Sequence, residues 1–526
     1  MKINRPLSIL ALIGLLLYGG VLLLSRSAMQ EPAGAAPSIS RAAAARAAAE
    51  ALEQVPGIAA VPSRPQLFVT YRTNKILSGY LQKEQLADLY EKQYGKRYPL
   101  DYYSVEIRDR ASSLHYAVDL GMEDGRLLGW RDLNAVPVIL TGREEETVQA
   151  FLRQKGYDPQ RLARVQNATD PPGRVVYEDR SFSVGQSRLR LEIIVSGDRV
   201  AAFHAAFTVP ESHVRWMKSQ DTLAGRLTWL STGLTALMAV SSAVYIIRRR
   251  REIRFSRGVG LALLTLVLYV VNNLNMYPAY KAVQGFGNSG TGTLLFLLFI
   301  NFVTVLLSLT VYLYLAAGQQ MWLGMGWNPW PAFRDGNFAG EVLRSMGRGY
   351  LISFFLLGLQ QMLFLIAEKG FRVWSVNDPA DSPLNMLNPA LFPLMAWVAG
   401  ISEEATYRLF GIALFKKWFR GTFPAVLLPS MIWALAHTQY PIYPVYTRFF
   451  EVTILGLVFG YMFLRYGLMT VIFAHASMDS ILMGLSLQSM GGPGSLAPGL
   501  FYMALPALVG WLIHRLARKP PVPLHP

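Results

Sequence analysis

The sequence contains no cysteine. That excludes a disulfide framework, thiolate catalysis, zinc–thiolate sites and iron–sulfur clusters. Any metal would have to be held by His, Asp or Glu, and His is scarce, with 7 in 526 residues. Charge is scarce as well: Asp, Glu, Lys and Arg make up 16% of the chain, against about 25% in a soluble globular protein. No HExxH occurs, so the usual zinc-protease signature is absent. No nucleic-acid motif is present either. What is abundant is apolar: 52% of residues are hydrophobic and mean hydropathy is +0.27. This is the composition of an integral membrane protein, long enough for roughly three units. The net charge of +16 is read accordingly, as Lys and Arg in cytoplasmic loops facing anionic lipid rather than as a nucleic-acid surface.

The chain opens with MKINRP and an apolar run from Leu7 to Leu24. Its length suits a span, and Lys2 and Arg5 hold its start in the cytoplasm. A cleaved signal peptide is the rival, but no convincing small-x-small cleavage site follows. Residues 1–25 are therefore expected to be a signal anchor. An Ala-rich stretch in 26–59 reads as a linker or a low-complexity helix. Residues 60–226 show helix-like segments followed by alternating strand-like ones. Glu84–Tyr94 precedes YYSVEIRD, SLHYAVDLG and RLLGWRDL; Glu144–Lys155 precedes RLRLEIIVSG and RVAAFHAAFTV. The alternation is broken by turn signals such as EDG and SGD. A helix-then-strands order used twice suggests a duplicated α+β unit. It resembles the PepSY type of extracytoplasmic module; an unrelated α+β domain is the alternative.

From Leu227 onward apolar runs dominate. Spans are expected near 227–247, 259–276, 292–316, 349–367, 389–414, 422–438, 447–465, 468–487 and 499–514. With the anchor they number about ten, each near the 20 residues a bilayer requires. If the N-terminus is inside, Arg248–Arg257, Arg334, Arg344, Arg348, Lys416, Lys417, Arg420, Arg515, Arg518 and Lys519 all fall on the cytoplasmic side. The opposite loops are poor in Lys and Arg, as the positive-inside rule requires. The expected fold class is thus a polytopic α-helical membrane protein with an extracytoplasmic α+β domain between spans 1 and 2. Both termini would be cytoplasmic, the last within a basic, Pro-rich tail at 515–526, and the location the plasma membrane.

An ionisable side chain at the bilayer centre costs about 2.5–3.5 kcal/mol on insertion scales, so each needs a reason. Three places in the C-terminal half stand out. ISEEATYRLF (401–410) carries Glu403, Glu404 and Arg408; WALAH (433–437) carries His437; HASMD (475–479) carries His475 and Asp479. Glu404 and Arg408 are four apart with the acid first, the favourable order for an ion pair on one helix face. Glu403 is rotated about 100° away, which leaves it as the spare carboxylate. Asp479 shares a face with His475 and is placed to orient the imidazole. Such charges can simply tie helices together, or relay protons in a transporter. Together they also hold the ingredients of hydrolysis: a base, imidazoles and polar groups for a developing charge.

The order EExxxR, aromatic-xxx-His, His-xxx-Asn/Asp on successive membrane helices resembles the CPBP family, intramembrane glutamate proteases that include the type II CAAX prenyl proteases and bacteriocin-processing enzymes. The resemblance covers residues 349–514. It implies that Glu403, with His437, activates a water for attack on a scissile amide, and that His475, with Asp479, stabilises the tetrahedral oxyanion. The substrate would then be a membrane-associated protein or peptide, with no cofactor. Two departures stand in the motifs. Trp433 occupies a position that usually holds Phe. Asp479 stands where Asn is common, and a carboxyl donates a hydrogen bond only when protonated; otherwise Asp479 serves to orient His475.

Rival readings remain open at this point. Glu403, His437 and His475 would also make a two-His, one-carboxylate zinc site. A non-catalytic scaffold, an immunity-like binder or a proton-coupled transporter would use the same polar residues without cutting a peptide bond. Gly287-Asn288-Ser289-Gly290 matches the GxSG of rhomboid serine proteases but sits in a Gly-rich loop, where such residues are ordinary. His115, His204, His213 and His514 read as surface or interface residues. Trp327, Trp330, Trp374, Tyr440 and Tyr443 read as an interfacial aromatic belt.

Overall fold

The computed structural model describes residues 4–24, 37–56, 58, 65–109, 114–134, 139–165, 172–283, 290–490 and 493–517. Lys2, the 26–36 part of the Ala-rich stretch, the Gly287-Asn288-Ser289 part of the rhomboid-like match, and Arg518 and Lys519 lie outside them. The chain divides into a sheet unit (31–219 with 375–385) and a helical unit (1–30, 220–374 and 386–526).

The sheet unit contains helix α2 (Arg41–Glu53) and strands β1 (Gln66–Thr73), β2 (Asp101–Asp109), β3 (Leu114–Gly121), β4 (Leu127–Asp132), β5 (Leu162–Val165), β6 (Arg174–Val184), β7 (Ser187–Ser196) and β8 (Arg199–Phe207). Helices α3 (Lys75–Lys83), α4 (Ala87–Tyr90) and α5 (Glu144–Gln154) complete it. The strands form one sheet in the order β1-β2-β3-β4-β8-β7-β6-β5. Two four-stranded meanders therefore meet where β4 and β8 pair antiparallel, Trp130 opposite Phe203. Period-two burial places Val105, Ile107, Val118, Leu120, Leu189, Leu191, Ile193 and Val195 on the core face.

Part of the Ala-rich stretch is a packed helix rather than a linker. Ala44, Ala48 and Leu52 recur every fourth residue and are fully buried in the sheet core. The Ser40 hydroxyl caps α2 by accepting from the Ala43 amide at 3.1 Å. Where the sequence suggests one helix over 84–94, the chain ends α3 at Lys83, passes through Gln85 at φ 57° and restarts as α4 and a π turn. The segment 375–385, between two expected spans, clusters with the sheet. Asn385 imitates a neighbouring strand on edge strand β1: it accepts from the Tyr71 amide at 2.7 Å and donates to the Tyr71 carbonyl at 2.9 Å.

The helical unit is built from α1 (Arg5–Leu24), α6 (Glu211–Arg248), α7 (Val259–Asn275), α8 (Tyr277–Val283), α9 (Gly290–Gly324), α10 (Phe338–Phe371), α11 (Met395–Glu403), α12 (Ile412–Phe419), α13 (Thr422–Ala436), α14 (Tyr446–Tyr466), α15 (Leu468–Ser489) and α16 (Pro493–Ala517). Among the described residues seven helices are long and apolar enough to cross a membrane: α1, α6, α9, α10, α14, α15 and α16. Three of the ten expected spans take other forms. Helices α7 and α13 are shorter, and the expected span at 389–414 is broken into 3-10, α, π and α pieces. Close approach comes from small residues, as in membrane bundles. A Cβ on Gly14 of α1 would collide with the α10 backbone at Phe354, and one on Gly358 with Gly14. The expected anchor is thus packed into the bundle. A Cβ on Gly400 would lie 3.1 Å from the Ile472 carbonyl, so α11 runs tight against α15.

Candidate active site

The acidic motif sits at a change of helix type. α11 ends at Glu403, and Glu404–Gly411 is a π-helical stretch before α12 resumes. Single-turn π segments inside α-helices are frequent at functional sites. This one is pinned from outside: the Trp322 indole donates to the Leu409 carbonyl at 2.8 Å. α15 brings His475 and Asp479 against it, α13 ends at the second motif, and α14 contributes Phe459.

The two adjacent acids have opposite fates. Glu404 is fully buried, and its Oε1 lies 3.1 Å from Arg408 Nη1 and 2.7 Å from His475 Nδ1. Arg408 is itself buried, with its guanidinium 4.1 Å from the Trp433 ring centroid and 4.9 Å from that of Phe459. The Glu403 side chain keeps 25% exposure, and its Oε2 lies 3.8 Å from His475 Nε2. From the same ring nitrogen, Asp479 Oδ2 is 3.5 Å away and its side chain 21% exposed. Glu403 and Asp479 thus both lie within 4 Å of His475 Nε2 and stay partly exposed, whereas Glu404 and Arg408 are buried.

The short partner of His475 Nδ1 is Glu404, where the sequence pointed to Asp479 as the group that orients the ring. Asp479 instead faces Nε2, beside Glu403. His437 sits at the C-terminal end of α13, its Nδ1 2.9 Å from the Trp433 carbonyl. With that nitrogen donating to a carbonyl, Nε2 carries the lone pair. Among the described residues no hydrogen bond joins His437 to Glu403. Trp433 links them, since its indole N–H donates to Glu403 Oε2 while its carbonyl holds His437. Trp433 also packs edge-on against His437 and His475, at centroid separations of 5.0 and 5.9 Å. The Trp at this position thus makes a polar contact that the usual Phe has no group to make.

A fourth polar place within the apolar spans escaped the sequence reading, although two ionisable residues three apart at the start of α14 were there to signal it. Arg448 and Glu451 pair at 2.6 Å with 11% and 8% side-chain exposure. The Arg448 guanidinium lies 5.2 Å from the Tyr440 ring, which stacks on His437 at 5.7 Å and 7°. Tyr440, expected in an interfacial belt, is thus also part of the surroundings of the site. Among the described residues no three His, Asp or Glu side chains form a set placed to hold a metal ion. His115 pairs with Glu106 at 3.0 Å on the sheet, and His514 bonds the Ala339 carbonyl at 2.8 Å.

Comparison with known proteins finds two similarities. Residues 385–481 match the model described as type II CAAX prenyl endopeptidase Rce1-like, so the C-terminal part of the chain carries an Rce1-like domain. A sporulation-killing factor biosynthesis protein of Bacillus subtilis (strain 168), SkfC, is 23% identical over 313 residues, covering 58% of this chain and 60% of that protein. The match thus spans less than two thirds of the relative's length. No solved structure matches.

Proposed function

We propose that the protein is an intramembrane endopeptidase in which Glu403 is the general base. The observation that carries this reading is the division of labour between adjacent acids: Glu404 is buried and doubly paired, while Glu403 is half-open beside an imidazole nitrogen and a second carboxylate. A carboxylate out of bulk water is a stronger base than one in it. Glu403 takes a proton from a water whose oxygen attacks the scissile carbonyl carbon. The carbonyl oxygen gains the negative charge, and His475, with Asp479 beside it, stabilises it; such a donor is commonly worth about 2.7–4 kcal/mol. The C–N bond then breaks, and the leaving amine takes up the proton held by Glu403. His437, fixed through Nδ1, offers Nε2 as the second proton acceptor. With Glu404 on Nδ1, His475 donates from Nε2 only as the imidazolium, and that charge has three carboxylates around it.

The substrate class we propose is a membrane-associated protein or peptide. A CAAX prenyl endopeptidase and a protein named for biosynthesis of a killing factor both fit a peptide substrate at a membrane, and neither singles out the sequence cut. We place the protein in the plasma membrane, and the positive-inside pattern supports cytoplasmic termini with the sheet unit outside. The test is cleavage of a peptide library anchored in proteoliposomes by purified protein. Glu403→Gln and His437→Ala should abolish cleavage with normal expression and unfolding temperature. Cleavage retained in both would overturn the assignment, and a scaffold or transporter would show none in wild type. Activity lost in chelator and restored by Zn²⁺ would replace the glutamate mechanism with the zinc alternative.

A further inference from the structure

A second concave site lies at the far end of α14 from its Arg448–Glu451 pair. Here the start of α1, the start of α10, the end of α14 and the start of α15 converge around an open cavity of about 690 Å³. Its walls are tied together: Asn4 donates to the Tyr466 hydroxyl at 3.5 Å, and the Leu468 amide donates to the Pro329 carbonyl at 2.9 Å. Three arginines line it, Arg344, Arg348 and Arg465, against two acids, Asp335 and Glu341. Both acids are already engaged. Asp335 accepts from the Ala332 amide at 2.7 Å. Glu341 is shared between Arg344 at 2.8 Å and Arg348 at 2.9 Å.

Arg348 and Arg465 are both gathered at the ring of Tyr466, their guanidinium carbons 5.2 and 5.8 Å from its centroid. Among the described residues no carboxylate pairs with Arg465. Three arginines against two acids, with Arg465 in no ion pair among the described residues, leave a net positive charge lining the cavity. Guanidinium groups present fixed forks that match phosphate oxygens. Basic pockets between transmembrane helices at a membrane surface are where anionic headgroups bind.

We propose that this cavity binds a phosphate group, carried by an anionic glycerophospholipid headgroup or by a soluble phosphate ester. The site is independent of the proteolytic reading and needs no catalytic residue. The test is native mass spectrometry of the purified full-length protein in nonionic detergent with phosphatidylglycerol, phosphatidylcholine and sn-glycerol 1-phosphate. Phosphatidylglycerol should be retained several-fold more tightly than phosphatidylcholine. Arg465→Gln and Arg348→Gln should each weaken that retention about fivefold, Arg465→Lys, which keeps the charge and loses the fork, should weaken it less, and the control Arg250→Gln, in the exposed basic run, should leave it largely intact. Displacement of the lipid by glycerol phosphate identifies the headgroup as the ligand. Saturable glycerol phosphate binding without any lipid preference assigns the phosphate to a soluble source. The proposal is overturned by equal retention of both lipids together with no glycerol phosphate binding. An equal loss in Arg250→Gln, the mark of diffuse surface charge, overturns it too. Should a glutamine variant fail to fold, the wild-type competition decides alone.

Discussion

Two ion pairs of nearly the same length show how differently the two units use charge. In the sheet unit Arg143 meets Asp198 at 3.0 Å with side chains 64% and 63% exposed. In the helical unit Arg408 meets Glu404 at 3.1 Å with side chains 2% and 0% exposed. Water and salt screen the first, which holds little of the fold together. The second has lost its water, so each charge depends on the other and neither can be removed alone. The lesson extends to the adjacent acid. Glu403 differs from Glu404 by one position in sequence, yet of the two it alone keeps an open face.

That contrast is broken most severely at Glu403. Glu403→Gln should lower the cleavage rate by about 10²–10⁴-fold, the usual range for a positioned general base, with little change in unfolding temperature. Arg408→Met should do the reverse. It leaves buried Glu404 with His475 as its remaining partner and should destabilise the helical unit by about 3–5 kcal/mol, read from thermal unfolding in detergent. Adding Glu404→Gln to Arg408→Met should recover part of that loss, because the buried charge is gone. If the double variant is no more stable than Arg408→Met, the pair is not what its geometry implies. Trp433→Phe removes one indole N–H from a carboxylate and keeps the ring that covers Arg408. A hydrogen bond to a charged group is worth about 1.5–3 kcal/mol, so kcat should fall roughly 10–100-fold with KM nearly unchanged. A change confined to KM would show that the indole acts on substrate binding and not on Glu403.

The residues behind these predictions were legible in the sequence to different depths. The apolar runs beyond Leu227 are helical, although the one at 389–414 is broken into 3-10, α and π pieces, because such runs leave the backbone few other ways to satisfy its polar groups in lipid. Strands β2, β3, β4, β7 and β8 were visible as alternation. β5 is four residues long, and in β6 the alternation is interrupted by Glu178-Asp179-Arg180, so neither announces itself by period. At the site, the Glu404–Arg408 pair followed from spacing, whereas the meeting of the three motifs was implied by the family resemblance alone. That Glu404 holds His475 Nδ1 while Asp479 faces Nε2 followed from neither. It depends on the π stretch and on how closely Gly400 lets α15 approach, and both are tertiary outcomes. The role of Trp433 lies between: its indole N–H is written in the sequence, but what it reaches is decided by packing.

The smallest effect is expected where the comparison began. Arg143→Ala removes a guanidinium that touches Asp198 at 3.0 Å, but both groups stand in solvent before and after the change. Exposed pairs of this kind are typically worth about 0.2–1 kcal/mol, and salt reduces that further. The side-chain freedom regained on truncation offsets part of even this gain. The unfolding temperature of the full-length protein should therefore move by no more than a degree or two at low salt, and by nothing measurable at 0.5 M NaCl. A loss as large as that of Arg408→Met, persisting at high salt, would mean that distance and not burial sets the worth of a pair here. The contrast between Glu403 and Glu404 would then lose its physical basis.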